Sequence, residues 1–341
     1  MRGGAAQRLL RGDEAFPSVR LFSKVIAMRP EIPDEPAEIL KARDLDVVPY
    51  APRVGALADR LGLDLSATLD ALNAVPLCLP RDRHSEARRD MAGLIAAQAE
   101  PLRAALPGLV ARHFAPLTRP GPVDAMAAVV APAVAEVISI LVGMPVTVEE
   151  GSHISRIFSQ TLGVARRKRM DEELARLQRR LRDQFPAADN RTLGLKLSLL
   201  ILGRDAMMGT FGCSLEDMAR RAGGGWSALA WPETPPRTGV PYIDRIALSD
   251  VTVGGRPVDK GETIRAALAD YEKAEDPRLR LSFFGAGAHL CLGRALSLEI
   301  WRELGAFLAA SPARPRVTAF ALRRDDVFQI PESFEMEIAV P

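Results

Sequence analysis

The sequence predicts a mainly α-helical protein with small β-sheets, and three observations support this prediction. Apolar residues recur at helical spacing through most of the first two thirds of the chain. Residues around 246–264 and 316–340 are instead rich in alternating β-branched residues, which favours short strands. Aromatic residues make up only 5% of the sequence, while alanine, leucine and arginine are abundant, which suits a helical protein.

The helical patterns follow one another after an irregular entry segment. Residues 1–45 are rich in proline and arginine and predict little regular structure. Apolar spacing then predicts helical segments at 54–72, 84–116, 125–141, 155–185 and 193–221. The charged run at 165–174 is interpreted as a solvated helix face rather than a basic patch for a partner. Three glycines at 223–225 end or break the last helix.

The strand-like part of the chain begins after these glycines. Residues 251–258 alternate around Gly254 and Gly255, which predicts a short hairpin. The tail again favours short strands. Neither an internal repeat nor a long linker is visible, so residues 1–341 are predicted to form a single domain.

Composition narrows the classes of function. With 48% hydrophobic residues the chain can bury a large core, and its net charge of +2 argues against nucleic acid as the main partner. Cys78, Cys213 and Cys291 are too few and too scattered for a disulfide framework or a zinc site, and they favour a reducing, cytoplasmic location. No secretory signal is visible, and prolines and a glutamate interrupt the most apolar run, 125–148. We therefore expect a soluble protein without a membrane partner.

The most informative feature is Cys291, which follows a glycine-rich turn and precedes a helix-forming run at 294–310. Gly285, Gly287 and Gly293 can adopt backbone angles closed to other residues and let a flat ligand approach closely. A thiol at the start of a helix meets unsatisfied N–H groups and the positive end of the helix dipole, which favour a thiolate. A thiolate is a strong-donor axial ligand for haem iron.

The stretch 283–293 resembles the cysteine loop of the cytochrome P450 superfamily. That loop has Phe, two residues, Gly, one residue, a basic residue, one residue, Cys, one residue and Gly. The five positions are filled here by Phe284, Gly287, His289, Cys291 and Gly293. The resemblance implies haem b (iron protoporphyrin IX), with Cys291 as the iron ligand and the other four residues around the cofactor. It also implies the superfamily's fold, in which the haem lies between a long central helix and the cysteine-loop helix.

The resemblance further implies four residues that anchor the haem propionates. His84 and Arg88 lie four residues apart and would share a helix face. Arg245 matches the superfamily's arginine at the start of a central β segment, and His289 completes the set. Arginine suits this role because its planar guanidinium binds carboxylates in bidentate fashion.

The central helix departs from the superfamily's pattern, which is Ala/Gly-Gly-x-Asp/Glu-Thr. The matching residues are 202–206, in which Asp205 fills the acid position and Ala206 replaces the threonine. We expect Asp205 to relay protons through water as a general acid or base, while Ala206 offers no hydroxyl. Thr210, one turn later, is a less direct substitute.

Two further departures mark the chain as a shortened and atypical bacterial-type member. The superfamily's Glu-x-x-Arg pair is missing before the β region, where Trp226 and Trp231 are expected to provide apolar packing instead. The superfamily's long meander before the cysteine loop is reduced to a short stretch at 268–281.

Three hypotheses of function follow from the resemblance. The first is a monooxygenase of secondary metabolism, acting on a small apolar metabolite with electrons from a ferredoxin or flavoprotein. That donor would dock on a basic patch formed by Arg88, Arg89, Arg294 and Arg302. The second, motivated by Ala206, is a haem-thiolate enzyme without standard dioxygen activation, such as a peroxide-dependent, isomerase, dehydratase or bond-forming enzyme. The third is a non-catalytic haem-binding relative.

Overall fold

Helices form most of the computed structural model, which describes residues 35–152, 154–159, 161–323 and 327–341. The α-helices are α1 (Glu35–Lys41), α2 (Tyr50–Leu61), α3 (Ser66–Ala74), α4 (Arg81–Phe114), α5 (Ala131–Val142), α6 (Val164–Gln184), α7 (Asn190–Ser198), α8 (Arg204–Arg221), α9 (Pro277–Arg280) and α10 (Arg294–Ala309). Short 3₁₀ helices connect several of them, and the predicted fold class, mainly α with small sheets, is confirmed.

The predicted long helix at 193–221 is confirmed as a continuous helical rod, here called the central helix. It consists of α7, a π-helical segment (Leu199–Gly203) and α8. The side chain of Asp189 caps its start by accepting the Thr192 N–H at 2.7 Å. The π-helical segment changes the helical phase midway, where such segments often accompany a functional site.

The other helical predictions are confirmed with adjusted boundaries. The pattern at 54–72 divides into α2 and α3 because Gly62 adopts a left-handed conformation, with φ of 59°, after α2. The pattern at 84–116 is one helix of 34 residues, α4, which contains two prolines. The apolar run at 125–141 begins as a π-helical segment (Met126–Val130) and continues as α5.

In the described ranges, eight strands form two three-stranded antiparallel sheets and a hairpin. They are β1 (Leu45–Val47), β2 (Gly121–Asp124), β3 (Ile243–Ala247), β4 (Val251–Val253), β5 (Arg256–Val258), β6 (Thr263–Ala266), β7 (Arg314–Leu322) and β8 (Pro331–Ala339). The sheet orders are β1–β3–β6 and β2–β8–β7. The predicted hairpin is β4–β5, whose turn glycines, Gly254 and Gly255, both have positive φ, 57° and 71°.

Two sequence predictions need correction at the ends of the chain. The segment 1–45 was expected to be irregular, yet residues 35–41 form α1 and residues 45–47 pair with β3; residues 1–34 lie outside the described part. The tail was expected to form short strands, whereas β7 and β8 have nine residues each. Pairing with distant strands contributed to both outcomes, because β1 pairs with β3 and β8 pairs with β2 as well as with β7.

Among the residues that the structure describes, two apolar cores hold these elements together. The larger joins α2 to α8, α10 and the β2–β8–β7 sheet, while the smaller joins α1, the β1–β3–β6 sheet and the β4–β5 hairpin. The cysteine loop connects the two cores, because Phe283 at its start is in the smaller core and Leu296, just after its end, is in the larger. Within the described ranges, no helix is both long enough and apolar enough to cross a membrane.

Candidate active site

A cavity of about 770 Å³ lies between the central helix, α4, α5 and the cysteine loop. Its volume is within the range of pockets that hold cofactors and drug-sized ligands. The cavity wall is mainly apolar. Its apolar residues include Ile95, Ile138, Leu141, Leu199, Leu202 and Leu296.

Glycines shape the loop that precedes Cys291. Gly285 and Gly287 have φ of 86° and 64°, left-handed conformations that favour glycine. A Cβ atom on Gly287 would also lie 3.2 Å from the carbonyl oxygen of Leu40. Gly293 has an ordinary φ of −83°, so the expectation of unusual backbone angles is confirmed for the first two glycines and wrong for Gly293.

Cys291 lines the cavity just before α10, and its N–H donates to the carbonyl oxygen of Phe284 at 2.9 Å. The residue has accessible surface because it faces the cavity, while the surrounding protein shields it from bulk water. This burial raises the pKa of the thiol, although the N–H groups of Gly293 and Arg294 and the charge of Arg88 oppose the effect. The N–H groups at the helix start thus favour the thiolate, as expected from the sequence, but burial outweighs them in the protein alone.

The predicted propionate-binding residues converge at one end of the cavity. The rings of His84 and His289 stack with their centroids 4.0 Å apart, and both rings line the cavity with Arg88. Arg88 donates from Nη2 to the carbonyl oxygen of Leu290, which ties α4 to the cysteine loop. Burial, and then the charges of Arg88 and Arg245, lower the pKa of His84, so this site favours a neutral imidazole.

Arg245 adds a further cation from β3. It is only 3% exposed, and burial lowers its pKa to about 10. Its Nη1 donates to the backbone oxygen of Asp244 at 3.0 Å, whereas its buried Nη2 has no hydrogen-bond partner among the described residues. The described part of the chain also provides no ion-pair partner for Arg88 or Arg245. A buried cation without an acceptor is costly, so the cluster suits an added anion, and the two propionates of a haem fit it.

The central helix presents a different face to the cavity than the sequence predicted. Ala206, Met207 and Thr210 line the cavity, but Asp205 does not. The Asp205 carboxylate is 1% exposed and is bonded to Ser155 and to arginine side chains. The turn of the helix directs this carboxylate into the protein interior, and the expected relay of protons through Asp205 and water stays a prediction.

Two glycines that the sequence analysis missed bring separate cavity walls into backbone contact. A Cβ atom on Gly209 would lie 2.2 Å from the carbonyl oxygen of Gln329, and one on Gly239 would lie 2.4 Å from that of Ala206. The N–H of Gly239 donates to Thr210 Oγ1 at 2.9 Å, and its carbonyl oxygen accepts from Gln329 at 2.9 Å. The only signal in the sequence was a glycine inside a helical pattern, which often has a packing reason.

A polar group on the cavity wall was also missed. Arg265 donates from Nε and Nη2 to the carboxylate of Asp244 at 2.8 and 3.1 Å, and its guanidinium lies 3.4 Å from the ring centroid of Tyr242. All three residues line the cavity. Residues opposite each other in an antiparallel pair share a face, and Asp244 lies opposite Arg265 in the β3–β6 pair, but this register is not visible in the sequence.

Tryptophans occupy the place expected for the missing ionic brace. The Trp231 ring lies 4.6 Å from the Trp301 ring of α10, and its Nε1 donates to the Trp301 carbonyl oxygen at 3.2 Å. Trp301 Nε1 donates in turn to the carbonyl oxygen of Pro232 at 2.9 Å. Gly305 provides the room, since a Cβ there would lie 2.2 Å from Trp231 Cδ1. Trp226 is fully buried in the larger core. Packing around α10 thus agrees with the expected apolar replacement.

Together, the helical rod over the cavity, the cysteine loop below it and the small antiparallel sheets define the cytochrome P450 fold. Comparison with solved structures supports this assignment. Cytochrome P450 monooxygenase TamI bound to tirandamycin C matches with a TM-score of 0.70 and 19% identity, over 90% of this chain and 88% of TamI.

Two other solved structures have the same fold. Cytochrome P450 RauA, in complex with a biosynthetic intermediate of aurachin RE, has a TM-score of 0.69 and 16% identity, over 89% of this chain and 88% of its own. Cytochrome P450 CYP109B1 from Bacillus subtilis has a TM-score of 0.61 and 15% identity, over 90% of this chain and 92% of its own. No protein-family model matches the sequence, and no curated protein matches it significantly.

Proposed function

We propose that the chain is a haem-thiolate oxidoreductase, a monooxygenase that acts on a small apolar molecule. The observation that carries this proposal is the position of Cys291 on the wall of an apolar cavity, beside a cluster of under-partnered cations. A cysteine suits an axial ligand to haem iron, and the cations suit the haem propionates.

The roles of the individual residues follow from their positions. Cys291 would ligate the iron, whose positive charge offsets the burial that raises the pKa of the thiol. Arg88, Arg245, His84 and His289 would anchor the propionates. Phe284, Gly287 and Gly293 would shape the loop around the cofactor. When bound, the haem supplies the redox chemistry, and the protein supplies binding, orientation and a dry cavity.

The cavity wall supports an apolar substrate. Apolar side chains surround most of the space, and the polar side chains away from the cysteine loop include the Arg265–Asp244 pair and Thr210. Burial of apolar surface, at about 25 cal/mol per Å², would provide most of the binding energy. Thr210 of the central helix lines the cavity with a hydroxyl group, and this hydroxyl already accepts a hydrogen bond from the Gly239 N–H.

The second candidate is a haem-thiolate enzyme that does not use standard dioxygen activation. The observation that favours it concerns the central helix: Ala206 lines the cavity without a hydroxyl, and Asp205 is not among the described residues that line it. Peroxide-dependent, isomerase, dehydratase and bond-forming reactions belong to this candidate.

A ferredoxin or flavoprotein donor would be required by the first candidate. Of the four arginines predicted to form its docking patch, Arg89 and Arg302 are exposed, while Arg294 is half-buried. Arg88 lines the cavity and bonds the loop, so it is removed from the patch. Any acidic donor would therefore meet a smaller basic surface than the sequence predicted.

The test begins with the visible spectrum of the purified protein after dithionite reduction and addition of CO. A strongly red-shifted ferrous–CO Soret band is expected, and Cys291→Ser should remove it while Cys213→Ser retains it. Persistence of that band in Cys291→Ser would contradict the proposal. Turnover with a ferredoxin and dioxygen would then support the monooxygenase, and turnover with peroxide or without an oxidant would support the second candidate. Bound haem with no turnover would support a non-catalytic role.

A further inference from the structure

The buried carboxylate of Asp205 joins three separate parts of the chain. Ser155 Oγ and Arg323 Nη2 both donate to Oδ2, the latter at 3.4 Å, while Arg204 Nη1 donates to Oδ1. Ser155 belongs to the 3₁₀ helix Ile154–Phe158, and Arg323 follows β7. Both oxygens of the Asp205 carboxylate therefore accept hydrogen bonds. The donors to Oδ2 come from outside the central helix, and the donor to Oδ1 is the preceding residue, Arg204.

Two of these hydrogen bonds, here called ties, connect Asp205 to segments that carry cavity-lining residues: the bond from Ser155 and the bond from Arg323. Phe158, at the end of the 3₁₀ helix that contains Ser155, lines the cavity and contacts the edge of Tyr50, with ring centroids 5.3 Å apart. On the other side, the N–H of Arg323 donates to the carbonyl oxygen of Ile330 at 2.8 Å. Phe328, two residues before Ile330, also lines the cavity.

The charges at this cluster make Asp205 difficult to replace. Arg204 is 4% exposed, donates from Nη2 to the carbonyl oxygen of Val148 at 2.6 Å, and has the Asp205 carboxylate as its ion-pair partner. The Arg323 side chain is 20% exposed and belongs to the same ion-pair cluster. Loss of the carboxylate would leave a buried guanidinium uncompensated, so the segments that Asp205 joins would separate.

We propose that Asp205 is a positioning residue that fixes the Phe158 and Phe328 walls against the central helix and so sets the size of molecule that the cavity admits. The proposal rests on the proposed function in taking this cavity as the haem and substrate site. It differs from a proton-relay role, which requires only the acid and its access to water near the reacting centre.

The test compares two ligands of ferric haem iron that differ in size, imidazole and 4-phenylimidazole. Their dissociation constants are measured from the shift of the Soret band in the haem-loaded protein. Arg323→Gln and Ser155→Ala each remove one tie while retaining the Asp205 carboxylate, and Asp205→Asn removes the ion pairs. Arg316→Gln is the matched control, because Arg316 is an exposed arginine of the neighbouring strand β7.

The ratio of the two dissociation constants separates the outcomes. We expect Arg323→Gln and Ser155→Ala to favour 4-phenylimidazole by about threefold to tenfold, because the phenylalanine walls can withdraw, while Arg316→Gln leaves the ratio unchanged. Amide hydrogen exchange at residues 154–158 should also become faster in Ser155→Ala. General destabilisation would weaken both ligands equally and leave the ratio unchanged.

Unchanged ratios in Arg323→Gln and Ser155→Ala, with normal haem content, would overturn the positioning role. Loss of dioxygen turnover in Asp205→Asn alone, with unchanged ligand ratios, would instead establish proton delivery. If Asp205→Asn does not fold, the other two variants still decide the question. A wild-type protein without a haem spectrum would contradict the proposed function itself, which keeps the two failures distinguishable.

Discussion

Substitution of Gly305 by alanine tests the tryptophan packing that takes the place of an ionic brace. The new Cβ would lie 2.2 Å from Trp231 Cδ1 and 2.4 Å from Nε1. The indole must therefore retreat by at least about 1 Å to reach an ordinary contact of ~3.5 Å. That movement strains the hydrogen bond from Trp231 Nε1 to the Trp301 carbonyl oxygen, already 3.2 Å long.

The cost can be separated from the general effect of removing a helical glycine. Gly→Ala inside a helix stabilises by about 1 kcal/mol when nothing obstructs the methyl group, whereas overpacking costs about 1–3 kcal/mol. Gly93 of α4 is the matched control, because a Cβ there meets no atom within 4 Å. The free energy of unfolding of Gly305→Ala should therefore lie about 1–3 kcal/mol below that of Gly93→Ala.

Urea unfolding followed by circular dichroism measures this difference, and a double-mutant cycle identifies its source. Adding Trp231→Ala should remove the penalty of Gly305→Ala, giving a coupling energy of about 0.5–3 kcal/mol. Haem content provides a second measurement, because α10 begins three residues after Cys291. Equal stability of Gly305→Ala and Gly93→Ala, or additivity in the cycle, would refute the argument.

Three further predictions concern the loop, the cations and pH. Gly287→Ala should lower stability by about 1–2 kcal/mol, because φ is 64° and the new Cβ meets the Leu40 carbonyl oxygen at 3.2 Å; retention of wild-type stability in urea would contradict this. Arg245→Ala should lower haem occupancy, measured as the ratio of Soret to protein absorbance, and unchanged occupancy would exclude a propionate role. Burial raises the pKa of Glu272 despite its nearby partner Arg237. Because the pKa is higher in the folded state, protonated Glu272 contributes stability below the unfolded pKa of about 4.3. That contribution is lost as pH rises through the folded-state pKa. Relative to wild type, Glu272→Gln should therefore change the free energy of unfolding more favourably at pH 7 than at pH 4. The reverse order of these two differences in urea unfolding would contradict this prediction.

The sequence predicted the cysteine loop well because its chemistry is local. The spacing of Phe284, Gly287, His289, Cys291 and Gly293 lies within ten residues, and the structure places Phe284, His289, Cys291 and Gly293 on the cavity wall. Helix periodicity likewise predicted the central helix, because one buried face repeats along 193–221. Such signals need no knowledge of distant partners.

What could not be predicted depends on contacts between distant residues. Whether Asp205 faces the cavity depends on the phase of the helix after a π-helical segment and on the positions of Ser155 and Arg323, about 50 and 118 residues away. The pKa of Cys291 depends more on burial by the cavity wall than on the N–H groups of the helix start beside it. The Asp244–Arg265 pair likewise required strand register.

The backbone crossing of Gly209 with Gly239 has a consequence for how this cavity can change over evolutionary time. Any side chain at either position would collide with main-chain atoms, which cannot rotate away as a side chain can. New substrate ranges must therefore arise from substitutions elsewhere on the wall, such as Leu199, Ile138 or Met207. The two glycines should therefore stay unchanged while other residues of the pocket vary. A saturation library should retain glycine at both positions whatever molecule is used for selection.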